Sequence, residues 1–458
     1  MGGGKRGGRM VQHRTVGVIS LGCPKNLVDT EYMLGHFVRH GYQVTPSPQD
    51  ADVLVVNTCG FLAEAEQESR EAILEMAAIK AAHPGKQLVV TGCLAQRQGA
   101  ALAQEIPGID LLTGVEQYHQ ILPLLDERSG DKKGKKAKTI INIAPAGESV
   151  QPPGQRLLAT LPHVAYLKIA EGCSNTCAFC VIPSIRGPYR SRPAEDIVSE
   201  AAELARRGVR ELVVISQDTT LYGRDLQPRE SLASLLRALD KTPKLSWIRL
   251  LYLYPTLVTD ELLQTIAESE KILPYLDIPL QHADSAVLTR MRRAERADSL
   301  KKLVERIRHH LPESVLRSTY IVGFPGESEE EFENLLQFVA ESRFDHVGVF
   351  TYSDEAGTIA HGMADKVPPQ VAEERRHRLM TLQQEISREK LQQWRGQVVP
   401  VLVDGVNPEG GLLGRTWGQA PEVDGVVKLP AMRIKAGEMI PVEITDSQDY
   451  DLTGKLAM

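Results

Sequence analysis

The feature that most constrains this chain is a repeated alternation of short apolar runs with longer amphipathic stretches, present in two separate parts of the sequence. In the first part, runs at 16–21, 52–56 and 87–91 are rich in Val, Leu and Ile and read as buried parallel strands. Segments 27–40 and 62–82 between them carry helical periodicity. A β-α-β series of this kind predicts an open parallel sheet with helices on both faces. The second part, from 164 to about 392, repeats the pattern on a larger scale. Strands are expected at 164–170, 211–216, 247–252, 275–278, 316–322 and 346–350, with helices at 194–207, 231–240, 260–269, 299–310 and 329–341. Six β/α units imply a complete or partial barrel, with chemistry at the carboxyl ends of its strands. A charged helix at 370–394 is expected to leave that barrel. Five short strand-like runs then follow (398–403, 412–416, 425–428, 439–445, 450–455), split by Gly, Pro, Asn and Asp, and they suggest a small closed β-barrel.

The expected fold class is therefore α/β with an appended β-barrel. Its divisions are a disordered tail at 1–12, an N-terminal domain at 13–126, a linker at 127–160, a barrel domain at 161–392 and a C-terminal domain at 393–458. A chain of 458 residues accommodates about two to four domains. The linker carries Lys132, Lys133, Lys135, Lys136 and Lys138, then Pro152, Pro153 and Gly154. A solvated connector is the plain reading of such a segment, and a contact with ribosomal RNA is the sharper alternative. The Gly-rich basic start lacks the apolar core of a signal peptide. No apolar run approaches the ~18–20 residues that span a bilayer. The formal charge of −6 argues against a general nucleic-acid binder, which needs a broadly basic face. A cytosolic protein without a membrane partner is the expectation.

In that compartment six cysteines are metal ligands or redox groups more often than disulfides. They fall into two sets of three. Cys23, Cys59 and Cys93 lie 36 and 34 residues apart, each one to three residues after a predicted strand. Ligands collect at the carboxyl ends of strands in such a sheet, so three remote cysteines are delivered to one edge. The second set is the C-x3-C-x2-C run Cys173-Ser174-Asn175-Thr176-Cys177-Ala178-Phe179-Cys180. Three thiolates without a fourth nearby leave one iron of a [4Fe–4S] cluster open to a substrate ligand. A zinc site is the competing reading, but structural zinc needs four closed ligands.

This spacing resembles the radical S-adenosylmethionine superfamily. The resemblance implies that the methionine amino and carboxylate groups chelate the open iron, and that an electron then cleaves the sulfonium to give a 5′-deoxyadenosyl radical. Phe179 also fits the superfamily pattern, although packing over the cluster is its plain role. The two-cluster plan is similar to that of the methylthiotransferases, from about Val16 to the end. It implies S-adenosyl-L-methionine and two [4Fe–4S] clusters as cofactors, the second cluster carrying a sulfur species, and an OB-like TRAM domain at the C-terminus. The same resemblance suggests that Gln217, Arg249, Gln281, Arg317 and Gly323 surround S-adenosylmethionine. Asp218 and His282 lie beside them at strand ends, with His282 a candidate proton relay. For each, a satisfied polar group or a turn residue is the competing reading.

Two substrate classes compete within that family: adenosine in transfer RNA, and an aspartate of small-ribosomal-subunit protein twelve. The string Ser20-Leu21-Gly22-Cys23-Pro24-Lys25-Asn26-Leu27-Val28-Asp29 resembles the ribosomal-protein branch, whereas the tRNA branch usually has Gln-Met-Asn after that cysteine. Asn57-Thr58-Cys59-Gly60-Phe61, Ile182-Pro183-Ser184-Ile185-Arg186-Gly187, Asp277-Ile278-Pro279-Leu280-Gln281-His282 and Ala420-Pro421-Glu422-Val423-Asp424-Gly425 match the same branch. Ile321-Val322-Gly323-Phe324-Pro325-Gly326-Glu327 is shared by both. From Gln392 onward six basic residues face nine acidic ones, a net charge of −3. A domain that holds tRNA phosphates should be basic, whereas an acidic one complements a basic ribosomal protein. A solvated acidic surface with no partner is the plain alternative. The implied reaction removes hydrogen from the aspartate β-carbon and adds a methylthio group there, within the ribosome or its assembly intermediates. It also requires a reductant protein and a sulfur source that the sequence does not name. An unactivated C–H bond offers no acidic proton to a side-chain base, so the cofactors carry the hard step.

Overall fold

The computed structural model describes residues 14–130, 138–147 and 155–457. The tail expected at 1–12, the lysines at 132, 133, 135 and 136, and the Pro152-Pro153-Gly154 string lie outside the described residues. The chain divides into two compact units, Met1–Ala159 and Thr160–Met458.

The first unit is built on six parallel strands: β1 Thr15–Ser20, β2 Gln43–Val44, β3 Val53–Thr58, β4 Gln87–Gly92, β5 Leu111–Thr113 and β6 Ile140–Asn142. They lie in the order β2-β1-β3-β4-β5-β6. Every residue of β3 and β4 is buried, as continuous apolar strands covered on both faces must be. Leu54, Val56, Leu88 and Val90 pack against Ile73, Met76, Leu94 and Leu102 from two helices. The register pairs Ser20 with Asn57 and Thr58 with Gly92. The loops that follow β1, β3 and β4 therefore leave the sheet at one edge.

The segment expected to be a solvated connector is partly built into this unit. Ile140–Asn142 pairs in parallel with β5, and the Leu157 amide donates to the Glu31 carbonyl at 3.1 Å. Buried Arg156 pairs with buried Glu31 at 3.5 Å. A strand of two or three residues is too short to display a period, which is why β2, β5 and β6 carry no clear sequence signal. The helix Cys93–Glu105 is broken at Gly99, whose φ of 9° and ψ of −92° interrupt it, and a break of that kind also breaks the apolar period.

The second unit opens with β7 Val164–Lys168 and a short hairpin, β8 Ala170–Glu171 with β9 Arg190–Ser191. Five further strands follow: β10 Glu211–Ile215, β11 Trp247–Leu250, β12 Ile272–Asp277, β13 Val315–Val322 and β14 His346–Thr351. With β7 they form an open parallel sheet in the order β14-β13-β12-β11-β10-β7, which is a partial barrel. Helices Ala194–Arg206, Leu232–Asp240, Asp260–Ala267, Ala297–His310 and Glu329–Ser342 connect the strands. Their starts are set locally: the Ser328 hydroxyl accepts from the Glu331 amide while Glu331 reaches back to the Ser328 amide, a reciprocal cap that satisfies two otherwise orphaned donors.

The helix Pro369–Gln392 does not leave the barrel as expected. It packs along β14, where Gln383 donates to the Phe344 carbonyl at 3.0 Å, and Arg375 pairs with Glu327 at 2.9 Å. The C-terminal strands β15 Val398–Val406, β16 Leu412–Arg415, β17 Val427–Leu429, β18 Met439–Ser447 and β19 Leu452–Leu456 close into a barrel in the order β15-β16-β17-β19-β18. Its core is made by Val399, Val401, Val403, Val427, Val442 and Ile444.

Residues 415–424 of this small barrel meet one side chain from each strand of the parallel sheet. Tyr166 donates to Glu422 at 3.3 Å, Arg415 to Glu211 at 2.6 Å, Arg249 to the Trp417 carbonyl at 2.8 Å and Tyr275 to Asp424 at 2.7 Å. Arg317 lies 3.5 Å from Asp424, and His346 contacts the Gly418 carbonyl at 3.0 Å. His163, just before β7, pairs with Asp404 at 2.8 Å. The C-terminal barrel thus covers the amino-end side of the sheet and leaves the carboxyl ends to the loops that follow the strands.

Candidate metal centres

The dispersed cysteines stand at three neighbouring strand ends. Cys59 directly follows β3, Cys93 directly follows β4, and Cys23 follows β1 after Leu21 and Gly22. Cys59 and Cys93 are buried and Cys23 is exposed, and all three are free of disulfides. Gly22 takes φ +86°, and a Cβ there would sit 2.8 Å from Cys59 Sγ. Only glycine allows both that backbone angle and that approach. Asn26 ties the turns together, donating to the Leu21 and Thr58 carbonyls at 3.0 and 2.8 Å while its Oδ1 lies 3.7 Å from Cys93 Sγ. Ser69 fixes Cys59 by accepting from its amide at 3.0 Å and donating to its carbonyl at 2.9 Å. Asn26 and Ser69 were missed as site residues. Asn26 lies three positions beyond Cys23, but Ser69 sits in a charged helical stretch with nothing to mark it.

Cys173, Cys177 and Cys180 lie on the loop between β8 and the helix Ile182–Arg186. That loop is braced from several directions. The Cys173 amide donates to the Gly187 carbonyl at 3.1 Å, the Ala178 amide to Met291 at 2.9 Å, and the Ala360 amide to the Ala178 carbonyl at 2.8 Å. Asn175 donates to Asp218 at 2.9 Å. Burial pushes the Cys173 thiol up to about 11 and the Cys180 thiol up to about 12. Burial also raises Cys177, and the Arg293 guanidinium at 4.0 Å opposes that rise. Thiols that resist ionisation because they are buried become thiolates when a metal replaces the proton.

Among the described residues no three His, Cys, Asp or Glu side chains converge on one ion position. A donor set of three thiols on each site fits an iron–sulfur cluster better than a hard cation, which takes oxygen ligands.

The other expected residues divide. Gln217 and Asp218 follow β10 and reach the triplet's surroundings. Gln217 donates to Glu171 at 3.1 Å, and Glu171 also accepts from Lys168 at 2.6 Å and Arg186 at 2.9 Å. Burial opposes charge on Glu171, but Lys168 and Arg186 hold its carboxyl well below the usual range. Phe179 packs edge-on against Phe324 at 6.5 Å. Gln281 adopts φ +70° and bridges in parallel to Tyr320, an uncommon angle for a side-chain-bearing residue.

Arg249 and Arg317 both contact the C-terminal barrel, at Trp417 and Asp424. Arg249 donates to Glu211 at 2.7 Å and stacks over Tyr275 at 4.6 Å, and Arg317 pairs with Asp277 at 3.0 Å. A guanidinium taken out of water needs a carboxylate, and each of the two has one within the sheet. Gly323, at φ +74°, would place a Cβ 2.4 Å from Ala372, so it makes room for the helix Pro369–Gln392.

His282 is fully buried, accepts from the Asp284 amide at 3.0 Å through Nδ1, and lies 3.7 Å from Glu327. Burial lowers its pKa to about 3. An unfolded imidazole takes its proton from about pH 6.5 downward, so acid favours unfolding between there and the folded value at ~1.4 kcal/mol per pH unit. The stabilisation is present at neutral pH and lost as pH falls through that window. His282→Gln is expected to flatten this part of the acid dependence, read as a shallower fall of the urea-unfolding midpoint from about pH 6 to about pH 4. An unchanged slope would contradict a neutral buried imidazole.

Three family descriptions match the chain: "Uncharacterized protein family UPF0004" over residues 15–114, "Radical SAM superfamily" over 167–339 and "TRAM domain" over 396–456. A ribosomal protein uS12 methylthiotransferase RimO of Symbiobacterium thermophilum is 49% identical over 96% of this chain and 90% of its own length. One of Aquifex aeolicus is 46% identical over 96% of each. Among solved structures, a radical S-adenosylmethionine methyltransferase, TsrM, from Kitasatospora setae has a TM-score of 0.54 at 14% identity, covering 74% of this chain and 75% of that one, a likeness of fold. By identity along nearly its whole length and by the order of its three domain matches, this chain belongs to the ribosomal protein uS12 methylthiotransferase RimO family.

Proposed function

We propose that this chain inserts a methylthio group at the β-carbon of an aspartate of ribosomal protein uS12, met within the ribosome or its assembly intermediates. The observation that supports this reading is the pair of separate three-thiol sets, Cys23, Cys59 and Cys93 just beyond β1, β3 and β4 of one parallel sheet and Cys173, Cys177 and Cys180 on the loop that follows β8. Cys173, Cys177 and Cys180 would hold the [4Fe–4S] cluster that binds S-adenosylmethionine, and Cys23, Cys59 and Cys93 a second cluster for the sulfur to be transferred. Bound there, these cofactors supply the radical that removes hydrogen from an unactivated carbon and the sulfur that replaces it. The protein's own part is positional: Asn26, Ser69, Asn175 and Asp218 fix the cysteine loops, and the Phe179–Phe324–Tyr352 aromatic group packs apolar surface behind the triplet.

The C-terminal barrel suits a basic protein partner. Arg415, Asp404 and Asp424 are spent in the contacts beneath the sheet, leaving five basic and seven acidic residues, a net charge of −2. The acidic sign survives, which disfavours a phosphate backbone. A cytoplasmic location belongs to the same reading, and no helix among the described residues is long and apolar enough to cross a membrane. The test is intact-mass spectrometry of small-subunit ribosomal proteins from cells with and without the gene. A methylthio increment on uS12 that depends on the gene is expected; an increment on a transfer-RNA base instead would overturn the assignment.

A further inference from the structure

The loop 291–296 after the helix Ser285–Arg290 carries a charge up to the cysteine triplet. Arg293 is 6% exposed. Its Nη1 lies 4.0 Å from Cys177 Sγ, the outer limit of an N–H···S contact, while Nη2 donates to the Pro279 carbonyl at 3.1 Å and to Glu295 at 3.3 Å. The guanidinium plane sits over Tyr254 at 4.5 Å, a stacking that lowers the cost of holding a cation out of water. The backbone aims it: Arg292 takes φ +56°, and the Met291 carbonyl accepts from Ala178 inside the cysteine loop. Glu295 is equally buried, at 3% exposed, and accepts from Nη2, the nitrogen other than the one nearest Cys177, as the counter-charge.

We infer that Arg293, balanced by Glu295, is a positioning residue that sets how readily a cluster on Cys173, Cys177 and Cys180 accepts an electron. The inference rests on those cysteines binding a cluster. A fixed cation beside one thiolate stabilises the added negative charge of the reduced state, and in a buried site that attraction is screened little. Reduction potentials of such clusters respond to local charge and to hydrogen bonds at sulfur. Glu295 carries the opposite charge, so the two side chains act with opposite signs.

The test uses full-length protein carrying Cys23→Ala, Cys59→Ala and Cys93→Ala, reconstituted anaerobically with iron and sulfide so that only the triplet can hold a cluster. A dithionite titration followed by electron paramagnetic resonance gives its potential. Arg293→Met is expected to move the potential negative and Glu295→Gln to move it positive, with Arg293→Lys between the parent and Arg293→Met. Should Arg293→Met fail to fold, Arg293→Lys and Glu295→Gln still carry the opposed signs. General loosening of the loop would move all variants the same way, and that result, or an unmoved potential in Glu295→Gln, overturns the proposal alone. A parent that assembles no cluster overturns the reading of the triplet, and the proposal with it.

Discussion

Cys173→Ala is expected to abolish 5′-deoxyadenosine formation, whereas Cys23→Ala is expected to leave that cleavage intact and stop methylthio transfer. The two outcomes differ because the cysteine sets belong to different sheets and different folding units. Removing one thiol of the triplet leaves two donors, and a loop braced by Gly187, Met291 and Ala360 cannot bring another thiol to the gap. Removing Cys23 spares every brace of the triplet. The measurement is anaerobic incubation with dithionite and S-adenosylmethionine, with 5′-deoxyadenosine and uS12 mass read from one reaction. Cleavage should fall to background in the first variant and stay within about twofold of the parent in the second. If both variants still modified uS12, the assignment of both cysteine sets would fail.

Glu211→Ala is expected to destabilise the second unit by ~3–5 kcal/mol, because it strips a buried carboxylate from two buried guanidiniums. Glu211 is completely buried and accepts from Arg249 at 2.7 Å and Arg415 at 2.6 Å. Burial opposes its charge, but Arg415 and Arg249 hold its carboxyl below the usual range. Arg415 keeps Asp404 as a second partner at 2.7 Å, so Arg249 bears most of the loss. Pairing Glu211→Leu with Arg249→Met should recover much of the stability, since an apolar replacement leaves no lone charge behind. Thermal unfolding of the full chain reads both; equal melting of Glu211→Ala and parent would mean that the pair contributes nothing.

The long buried strands were legible because β3, β4 and β10 have apolar runs with few interruptions. The cysteines were legible for a different reason: their spacing relative to those strands is a consequence of chain direction in a parallel sheet. The contacts of Arg249 and Arg317 with the C-terminal barrel were not legible, because strand position marks a side chain as inward-facing without saying what it meets there. Their partners, Glu211 and Asp424, are 38 and 107 positions away, and only tertiary packing selects them. Arg293 was missed for the opposite reason. It lies in a run of basic residues, Arg290, Arg292, Arg293 and Arg296, that reads as a solvated surface. A left-handed turn at Arg292 accompanies the burial of one of them, and periodicity carries no trace of such a turn.

Six strands each anchor a side chain in the loop of the small C-terminal barrel, so that barrel is a floor as well as an appendage. Cutting it away would uncover Tyr166, Glu211, Arg249, Tyr275, Arg317 and His346 together and strip Arg249 of the Trp417 carbonyl and Tyr275 of Asp424. A truncated protein that fails to act on uS12 would therefore report a collapsed base before it reported a lost grip on the substrate. Charge reversal at outward-facing residues such as Glu409, Glu438 and Asp446, which are exposed, separates those two effects while the floor stays in place.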